Sequence, residues 1–349
     1  MNTEIYRLLP QLKAHIKADL NLQPTSIEQL HRMSNELGIH LLAKRDDTGS
    51  LAMGGNKVRQ LEYYLGPAMQ GNTDTVLITG AIQSNFVRLC AAAAAKLSWR
   101  AVVQLEKRVS NDSASYNESG NVLLNHLLGA QIHYFDGGGD EVAADANLDK
   151  LADAQRAQGY NPYVVHLGIN HPPLGGLGYA QCAVECFLQL KASRQMPDHV
   201  VIPSGSGLTH AGFLVGARAI GWAVPVHGVC VRRDASLQQK RISLRVNEIN
   251  QMLSGAASIT SNDVVVSDSV LAPGYGQMNQ QVTDALTVSA RLEALLLDPV
   301  YSGRTMAGLI DLVDRGVIAQ GESVLFIHTG GLPGIFAYQD DLMRGIGAL

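Results

Sequence analysis

The segment His199–Thr209, HVVIPSGSGLT, joins a strand to a helix through a glycine turn. Its first five residues, His199–Pro203, are mostly apolar and β-branched, which predicts a strand buried on both faces, as in a parallel sheet. The turn that follows, Ser204–Thr209, contains two serines, a threonine and two glycines. Backbone amides freed by glycine, together with the positive end of the next helix, predict a phosphate-binding nest here.

The same turn restricts the kind of phosphate that it can bind. It has no lysine and no Gly-Lys-Ser/Thr ending, so it is not the P-loop of a nucleoside-triphosphate-binding protein. It also lacks the six-residue glycine fingerprint of dinucleotide-binding proteins, which disfavours a nucleotide-dependent oxidoreductase. A small monophosphate fits the turn best.

Short apolar strands alternate with helices on both sides of this segment. Strands are predicted at Asp74–Thr79, Arg100–Leu105, Gln131–Phe135, Pro162–His166, Val226–Val231 and Ser323–His328. Helices are predicted at Phe86–Leu97, Asn121–Leu128, Asp140–Ala157 and Gly178–Ala192, with another after Thr209. This alternation predicts parallel βαβ units with right-handed crossovers, in which ligands bind at the carboxyl ends of the strands.

The composition suits a two-domain α/β protein. Of 349 residues, 46% are hydrophobic and only 17% are charged, so a large core can form. The net charge of −4, without a basic block, disfavours nucleic acid and anionic membrane surfaces as partners. The N-terminus lacks a secretory signal, and no run is long enough to span a membrane. Because the four cysteines also lack a metal-binding spacing, we expect a cytoplasmic protein without a metal site.

A second glycine turn, Met53–Lys57, precedes a predicted helix at Val58–Gln70. Asn56 is a good helix N-cap, which gives the turn a purely structural interpretation. Lys57 fits that interpretation less well, because a cation at a helix N-terminus opposes the helix dipole. The same dipole lowers the pKa of the amine, and only a neutral amine is a nucleophile. Lys57 is therefore a candidate catalytic lysine.

Two further turns follow strands. In Thr79–Asn85 the free helix amides could bind a carboxylate, although capping by Ser84 or Asn85 alone also explains the sequence. In His328–Gly331 the Thr329 hydroxyl either faces a ligand or belongs to an ordinary turn. Two tyrosines between these turns, Tyr275 and Tyr301, are candidates for the site or for the core.

Together these turns resemble the fold-type II pyridoxal-phosphate enzymes, and within them the D-cysteine desulfhydrase / 1-aminocyclopropane-1-carboxylate deaminase family. The resemblance runs from about Pro24 to Tyr338. It rests on segments in a fixed order, namely Lys44-Arg45-Asp46-Asp47, Gly54-Gly55-Asn56-Lys57, Ile82-Gln83-Ser84-Asn85, Ser204–Thr209, Leu297-Asp298-Pro299-Val300-Tyr301 and His328-Thr329-Gly330-Gly331.

The resemblance implies a tryptophan-synthase-β-like fold with two open, twisted, mainly parallel sheets and helices on both faces. A small α/β domain would span residues 58–171. A large cofactor-binding domain would combine residues 1–57 and 172–349. Pyridoxal 5'-phosphate would lie between the two domains, and the family is usually homodimeric.

The resemblance also implies roles for single residues. Lys57 would hold the cofactor as a Schiff base and move the α-proton of a small amino-acid substrate. Asn85 would meet the cofactor's 3-hydroxyl, and Gln83, Ser84 and Asn85 would bind the substrate carboxylate. Tyr275 and Tyr301 would line the side where the leaving group departs, and Thr329 would face the pyridine nitrogen. The phosphate would be held by Ser204, Gly205, Ser206, Gly207, Leu208 and Thr209.

Two positions bear on the choice between the family's activities. The deaminases resemble one another in having a glutamate where this chain has Gly274 and a leucine where it has Thr329. A neutral hydroxyl partner leaves the pyridine a weaker electron sink, which still suffices for loss of thiolate. The predicted reaction is therefore α,β-elimination from D-cysteine to pyruvate, hydrogen sulfide and ammonia.

Two other positions keep alternatives open. Phe86 stands where the family usually has histidine or glutamine, and the loop Gly168–Gly176 has a His-Pro-x-Leu-Gly-Gly pattern closer to the deaminases. The alternatives are 1-aminocyclopropane-1-carboxylate deamination and elimination from another β-substituted amino acid such as cysteate. A non-catalytic pyridoxal-phosphate-binding protein is the alternative of another class.

Overall fold

The computed structural model describes residues 1–20, 22–49 and 51–347, which form two mainly parallel sheets and the helices that cover them. The strands are β1 (Ile27–Gln29), β2 (His40–Arg45), β3 (Thr75–Ala81), β4 (Arg100–Glu106), β5 (Gln131–Phe135), β6 (Pro162–Val165), β7 (His199–Ser204), β8 (Val226–Cys230), β9 (Val265–Ser267) and β10 (Ser323–His328). The helices are α1 (Asn2–Leu8), α2 (His31–Leu37), α3 (Asn56–Leu65), α4 (Asn85–Lys96), α5 (Ala114–Glu118), α6 (Asn121–Leu127), α7 (Glu141–Ala157), α8 (Leu174–Ser193), α9 (Leu208–Ala219), α10 (Ala235–Met252), α11 (Gln280–Glu293), α12 (Ser302–Asp314), α13 (Gly334–Ala337) and α14 (Gln339–Gly345).

The larger sheet has the strand order β1-β2-β10-β7-β8-β9, and only the β1–β2 pair is antiparallel. Its central strands are buried on both faces because their side chains alternate between two cores. Val200 and Ile202 pack with α8 and α9, whereas Val201 packs on the opposite face with α12. This arrangement confirms the prediction that the apolar run at His199–Pro203 is a strand covered on both sides.

The smaller sheet has the order β5-β4-β3-β6, and all its pairs are parallel. Helix α4 covers one face, and on the other Leu77 and Val102 pack against Leu148 and Ala152 of α7. Two mainly parallel sheets with helices on both faces confirm the predicted fold class. The limits of the domains at residues 58 and 171 stay a prediction.

Helix α3 packs unusually closely against α8. A Cβ at Gly178 of α8 would lie 2.2 Å from the backbone oxygen of Arg59, so only glycine permits this approach. The contact fixes the axis of α3, which begins next to Lys57.

In the described part of the chain, no helix has the length and apolarity needed to cross a bilayer.

The predicted strands agree with the observed ones to within about two residues at each end. Three strands were not predicted, namely the three-residue strands β1 and β9 and the six-residue strand β2 near the N-terminus. The prediction of one helix over Val58–Gln70 was wrong at both ends. Helix α3 already begins at Asn56 and ends at Leu65, and a 3₁₀ turn, Pro67–Gln70, follows it.

Candidate active site

A cleft lies where the carboxyl ends of both sheets meet, the usual ligand position in parallel sheets. It is lined by nine of the predicted site residues, namely Lys57, Ser84, Asn85, Gly205, Ser206, Leu208, Tyr275, Tyr301 and Thr329. The other predicted residues, Gln83, Ser204, Gly207 and Thr209, do not line it. The cleft therefore unites all four glycine turns.

The turn before Lys57 is built against the turn that carries Thr329. The backbone amide of Asn56 donates to the Thr329 carbonyl at 3.1 Å, and a Cβ at Gly55 would lie 3.1 Å from the same oxygen. Gly55, with φ of 113°, is the N-cap of α3. The prediction that Asn56 caps this helix was wrong, because its side chain donates instead to Thr209 Oγ1 at 2.9 Å.

Lys57 has polar and aromatic neighbours instead of an anionic partner. Its Nζ lies 3.4 Å from Gln60 Oε1 and 5.0 Å from the centroid of the Phe86 ring. Among the residues that the structure describes, no carboxylate lies within salt-bridge distance of this amine. Burial lowers the pKa of Lys57 to about 8, so a substantial fraction of the amine is neutral at mildly alkaline pH.

The predicted phosphate turn connects β7 to α9, and its glycines are required by the geometry. Gly207 is the N-cap of α9 with φ of 101°, and a Cβ at Gly205 would lie 2.9 Å from Val231 Cγ2. Ser204 supports the turn from behind, since its Oγ contacts His210 Nδ1 at 3.1 Å and accepts from Gln238 Nε2 at 2.9 Å.

Thr209 links the phosphate turn to the helix of Lys57. Its Oγ1 accepts hydrogen bonds from Asn56 Nδ2 and Gln60 Nε2, both at 2.9 Å. All three side chains are buried. Thr209 therefore sets the distance between α9 and α3, whereas the surface of the cleft is formed by Gly205, Ser206 and Leu208.

Three arginines lie behind the phosphate turn and were not predicted from the sequence. Arg241 Nε donates to the Ser206 carbonyl at 2.9 Å, and Arg233 Nη1 donates to the Gly205 carbonyl at 3.2 Å. Arg232 and Arg233 also donate to Glu141 at 2.9 and 2.8 Å. Arg232 and Arg233 could have been predicted as site residues because they come directly after a parallel strand, at the edge of the sheet where ligands bind.

Glu141 brings a negative charge from α7 into this group of arginines. Burial raises the pKa of the carboxyl, but Arg241, Arg232 and Arg233 outweigh burial and hold the pKa below its usual value. Glu141 belongs to the smaller sheet's helices, and the arginines follow β8 of the larger sheet. The ion cluster therefore crosses the cleft beside the phosphate turn.

The turn after β3 presents hydrogen-bond donors at the start of α4. Ser84 is the N-cap, and its Oγ accepts from the Val87 amide at 3.2 Å, which confirms the capping prediction. Asn85 lines the cleft, and its Oδ1 accepts from Asn121 Nδ2 at 2.9 Å, whereas its side-chain Nδ2 has no acceptor among the described residues. The first amides of α4 lack partners within the helix, as at every helix start, and can bind an anion.

Gln83 of the same turn has its side chain engaged elsewhere. Its Nε2 donates to the carbonyls of Tyr116 and Ser119 at 2.6 and 2.9 Å, and its Oε1 accepts from the Asn121 amide at 2.8 Å. These contacts hold the segment between α5 and α6. The structure does not bring the Gln83 side chain together with the other predicted substrate-binding groups.

Two tyrosines and a charged pair form another wall of the cleft. The hydroxyls of Tyr275 and Tyr301 are 2.8 Å apart, and burial raises the pKa of Tyr301 well above its usual value. Arg108 donates through Nε and Nη2 to Glu106 at 2.8 and 2.7 Å. Within the described chain, Arg108 Nη1 has no protein acceptor, so it is available to a ligand. This pair, at the carboxyl end of β4, was also not predicted from the sequence.

The residues present fit a small aromatic aldehyde phosphate such as pyridoxal 5'-phosphate. A partly neutral amine, Lys57, can bond an aldehyde. A glycine turn that a Cβ would fill suits a phosphate, and the uncharged Thr329 hydroxyl lies in the same cleft. No single feature requires this cofactor, but the combination of amine, anion nest and neutral hydroxyl matches its functional groups.

Comparison with known proteins places the chain in a family. The family model described as "Pyridoxal-phosphate dependent enzyme" matches residues 18–330. A D-cysteine desulfhydrase of Yersinia enterocolitica is 40% identical over 324 residues, covering 92% of this chain and 96% of that protein. A D-cysteine desulfhydrase of Klebsiella pneumoniae is 40% identical over 319 residues, covering 91% and 95%. The chain belongs to the pyridoxal-phosphate dependent enzymes, and pyridoxal phosphate is its cofactor.

Solved structures agree with this assignment. An "ACC deaminase homologue" superposes with a TM-score of 0.85 at 29% identity and covers 99% of this chain and 100% of that one. A fungal L-serine ammonia-lyase from Rhizomucor miehei superposes with a TM-score of 0.66 at 16% identity, covering 93% and 98%, and shows the shared fold. The resemblance seen in the sequence is thus confirmed at the level of family and fold.

Proposed function

We propose that the chain catalyses the pyridoxal-phosphate-dependent α,β-elimination of D-cysteine to pyruvate, hydrogen sulfide and ammonia. The main support is the cleft itself, in which the Lys57 amine shares one space with the neutral Thr329 hydroxyl and the Tyr275–Tyr301 pair. Relatives that carry the name D-cysteine desulfhydrase share 40% of aligned residues over nine-tenths of the chain.

In this proposal, Lys57 holds the cofactor as a Schiff base. Gly205, Ser206, Leu208 and the start of α9 hold the phosphate, while Ser204, Gly207 and Thr209 set the shape of the turn. Asn85 donates from its side-chain Nδ2 to the cofactor's 3-hydroxyl. When bound, the cofactor supplies an electron sink for the charge that develops on the substrate's α-carbon.

The chain's own groups bind the substrate and move its proton. The Ser84 hydroxyl and the first amides of α4 bind the carboxylate of the amino acid. Once released, Lys57 Nζ takes the proton from the α-carbon, because its lowered pKa leaves a neutral amine to act as base. The hydroxyls of Tyr275 and Tyr301 and Nη1 of Arg108 receive the departing thiolate.

Thr329 supports elimination over ring opening. Its hydroxyl carries no charge that would hold a proton on the pyridine nitrogen, so a strong electron sink is not maintained. Thiolate is a good leaving group and does not need one. Opening of an aminocyclopropane does, and Gly274 provides no carboxylate near Tyr275 to assist it.

The proposal is tested by measuring ammonia and the 2-oxo acid released, which is pyruvate from D-cysteine, L-cysteine and cysteate and 2-oxobutanoate from 1-aminocyclopropane-1-carboxylate. We expect D-cysteine to give the highest kcat/KM. Preferential ammonia and 2-oxobutanoate release from the cyclopropane would make the chain a deaminase instead. A yellow holoprotein that turns over none of the four amino acids would indicate a non-catalytic pyridoxal-phosphate-binding protein.

One observation favours cysteate as a second candidate substrate. Arg108 Nη1 is a charged donor without a protein acceptor in the described chain, and it lines the cleft beside the tyrosines. A sulfonate presents three acceptor oxygens to such a donor. Faster pyruvate release from cysteate than from D-cysteine would support this candidate.

We also propose that the enzyme is a homodimer of the cytoplasm. The family resemblance supports the dimer, and four buried cysteines without a disulfide suit a reducing compartment. Analytical ultracentrifugation tests the dimer, and cell fractionation tests the compartment.

A further inference from the structure

Four side chains that bind metals well in proteins meet at the rim of the cleft. Asp145 and Asp149 lie one turn apart on α7, His166 directly follows β6, and His171 lies in the loop before α8. They come from a helix, a strand end and a loop, with no regular metal-ligand spacing between them, and no metal site was predicted from the sequence. Asp145 and Gly168, within the same group of segments, also line the cleft.

The distances within this group are longer than those of good hydrogen bonds and close to the distances between the ligands of one metal ion. His166 Nδ1 is 3.6 Å from Asp145 Oδ1, and His171 Nε2 is 3.5 Å from Asp145 Oδ2. A good N–H···O bond would be near 2.9 Å. Ligands at 2.0–2.1 Å around a tetrahedral ion are about 3.3 Å apart, so the observed distances are close to the edges of such a tetrahedron.

His166 has one ring nitrogen toward Asp145 and the other toward Asp149. Its Nε2 faces Asp149 Oδ1 at 3.4 Å, while its Nδ1 is buried and has no hydrogen-bond partner in the part of the chain that the structure describes. A carboxylate behind the far nitrogen of an imidazole fixes the tautomer that leaves the near nitrogen free to bind a metal. The unpartnered nitrogen points to the same side as Asp145.

The loop that carries His171 is held from the other side. Arg245 of α10 donates through Nη2 to the Gly168 carbonyl at 2.7 Å and through Nη1 to the His171 carbonyl at 3.0 Å. The backbone is therefore fixed, and only the rings must adjust. The His166 and His171 rings are stacked, with 4.0 Å between their centroids and 6° between their planes. Metal binding therefore requires rotation of the rings about χ2, which turns one nitrogen of each ring toward the ion.

We propose that Asp145, His166 and His171 form a binding site for a divalent first-row transition metal, with Asp149 supporting His166. Two imidazoles and a carboxylate select Zn²⁺ and its neighbours over Mg²⁺, which prefers oxygen ligands. The ion ties α7 to the loop before α8 at the rim of the cleft. The site is independent of the reaction proposed above.

Equilibrium dialysis of the holoenzyme against Zn²⁺, followed by metal analysis, tests the site. We expect one Zn²⁺ per chain, and at least tenfold weaker binding in His166→Ala and in His171→Ala. His126→Ala is the matched control, because His126 is exposed on α6 and should leave the binding unchanged. An excess of Mg²⁺ should not displace the Zn²⁺.

The cofactor absorbance and the far-ultraviolet circular dichroism of each variant report whether it is folded. X-ray absorption of the Zn²⁺-loaded enzyme should show two imidazole ligands at 2.0–2.1 Å. The proposal is overturned if the wild-type holoenzyme binds no Zn²⁺, or if both histidine variants bind it as the wild type does.

Discussion

At the scale of single residues, partly buried Lys57 is best understood by comparison with Lys44, which is fully buried. Lys44 Nζ donates to Glu185 Oε1 at 2.6 Å and is held as a structural cation. Lys57 lies at a helix N-terminus with an amide oxygen and an aromatic ring as neighbours. Burial without an anion favours the neutral amine, which is the form that reacts with an aldehyde and accepts a proton.

The reactivity of Lys57 should therefore depend on pH in a defined way. Its pKa is lowered to about 8, so the neutral fraction rises as pH rises through about 8 and falls below it. In apoenzyme labelled with trace acetic anhydride, we expect Lys57 to show a midpoint near pH 8. The exposed Lys150 provides the reference for the reagent in the same sample. A Lys57 midpoint above pH 10 would contradict this account.

Arg108 should matter most for substrates with an anionic β-substituent. We expect Arg108→Gln to raise KM for cysteate and to slow D-cysteine turnover by about 10-fold, the effect of one charged hydrogen bond. β-Chloroalanine, whose substituent is neutral before it leaves, should have nearly the same KM in both proteins. Equal losses for all three substrates would mean that Arg108 only supports Glu106.

At the scale of elements, the phosphate turn and the lysine helix are joined through Thr209. In Thr209→Val, the buried Asn56 and Gln60 amides both lose their acceptor, and each unsatisfied donor costs about 1–3 kcal/mol. We expect the dissociation constant for pyridoxal phosphate, measured by fluorescence titration, to rise by about 10- to 100-fold. Thr209→Ser keeps the acceptor and should bind as the wild type does.

The elements that were predicted correctly are those whose pattern is local. The run at His199–Pro203 is apolar because both faces of β7 are covered, so five consecutive residues are enough to predict the strand. Strands β1 and β9 have only three residues each and lie at the two edges of the larger sheet, so neither has a readable pattern. The wrong cap at Asn56 has a different cause, because its side chain is used by a residue 153 positions away.

At the scale of the whole molecule, a buried ion network anchors the start of α3 to the larger sheet. Arg59 donates to Asp46 Oδ1 at 2.8 Å and to Glu185 Oε2 at 2.9 Å, and Lys44 donates to the same Glu185. Asp46 also accepts the Gly55 amide through its backbone carbonyl. The network gives a structural role to Lys44 and Asp46 in the segment Lys44-Arg45-Asp46-Asp47. In the sequence, this segment contributed only to the family resemblance.

The network should make the protein sensitive to acid. Burial alone would raise the pKa of Asp46, but Arg59 and Lys44 lower it to about 2. Because the folded pKa is below the unfolded one, the stabilisation is complete above about pH 4 and is lost as pH falls toward 2, a change of about 2 kcal/mol. Urea unfolding should therefore show a shallower loss between pH 5 and pH 3 for Asp46→Asn than for the wild type.

The charges around the cleft belong to the same scale and could not be predicted from local patterns. Glu141 and the arginines at 232, 233 and 241 are about 90 to 100 residues apart and meet only when the two sheets face each other. Glu106 and Arg108 are close in sequence, but Tyr275 and Tyr301, which line the cleft with them, come from distant segments of the chain. The four glycine turns were recognisable because each carries its own ligand chemistry.

The central claim is that Lys57 carries the cofactor, and one measurement tests it most directly. The holoenzyme is reduced with sodium borohydride, digested and mapped by mass spectrometry. We predict a pyridoxyl-phosphate adduct on the peptide that contains Lys57, and no adduct in Lys57→Ala treated in the same way. An adduct on another lysine, or an unchanged yield from the variant, would contradict the account.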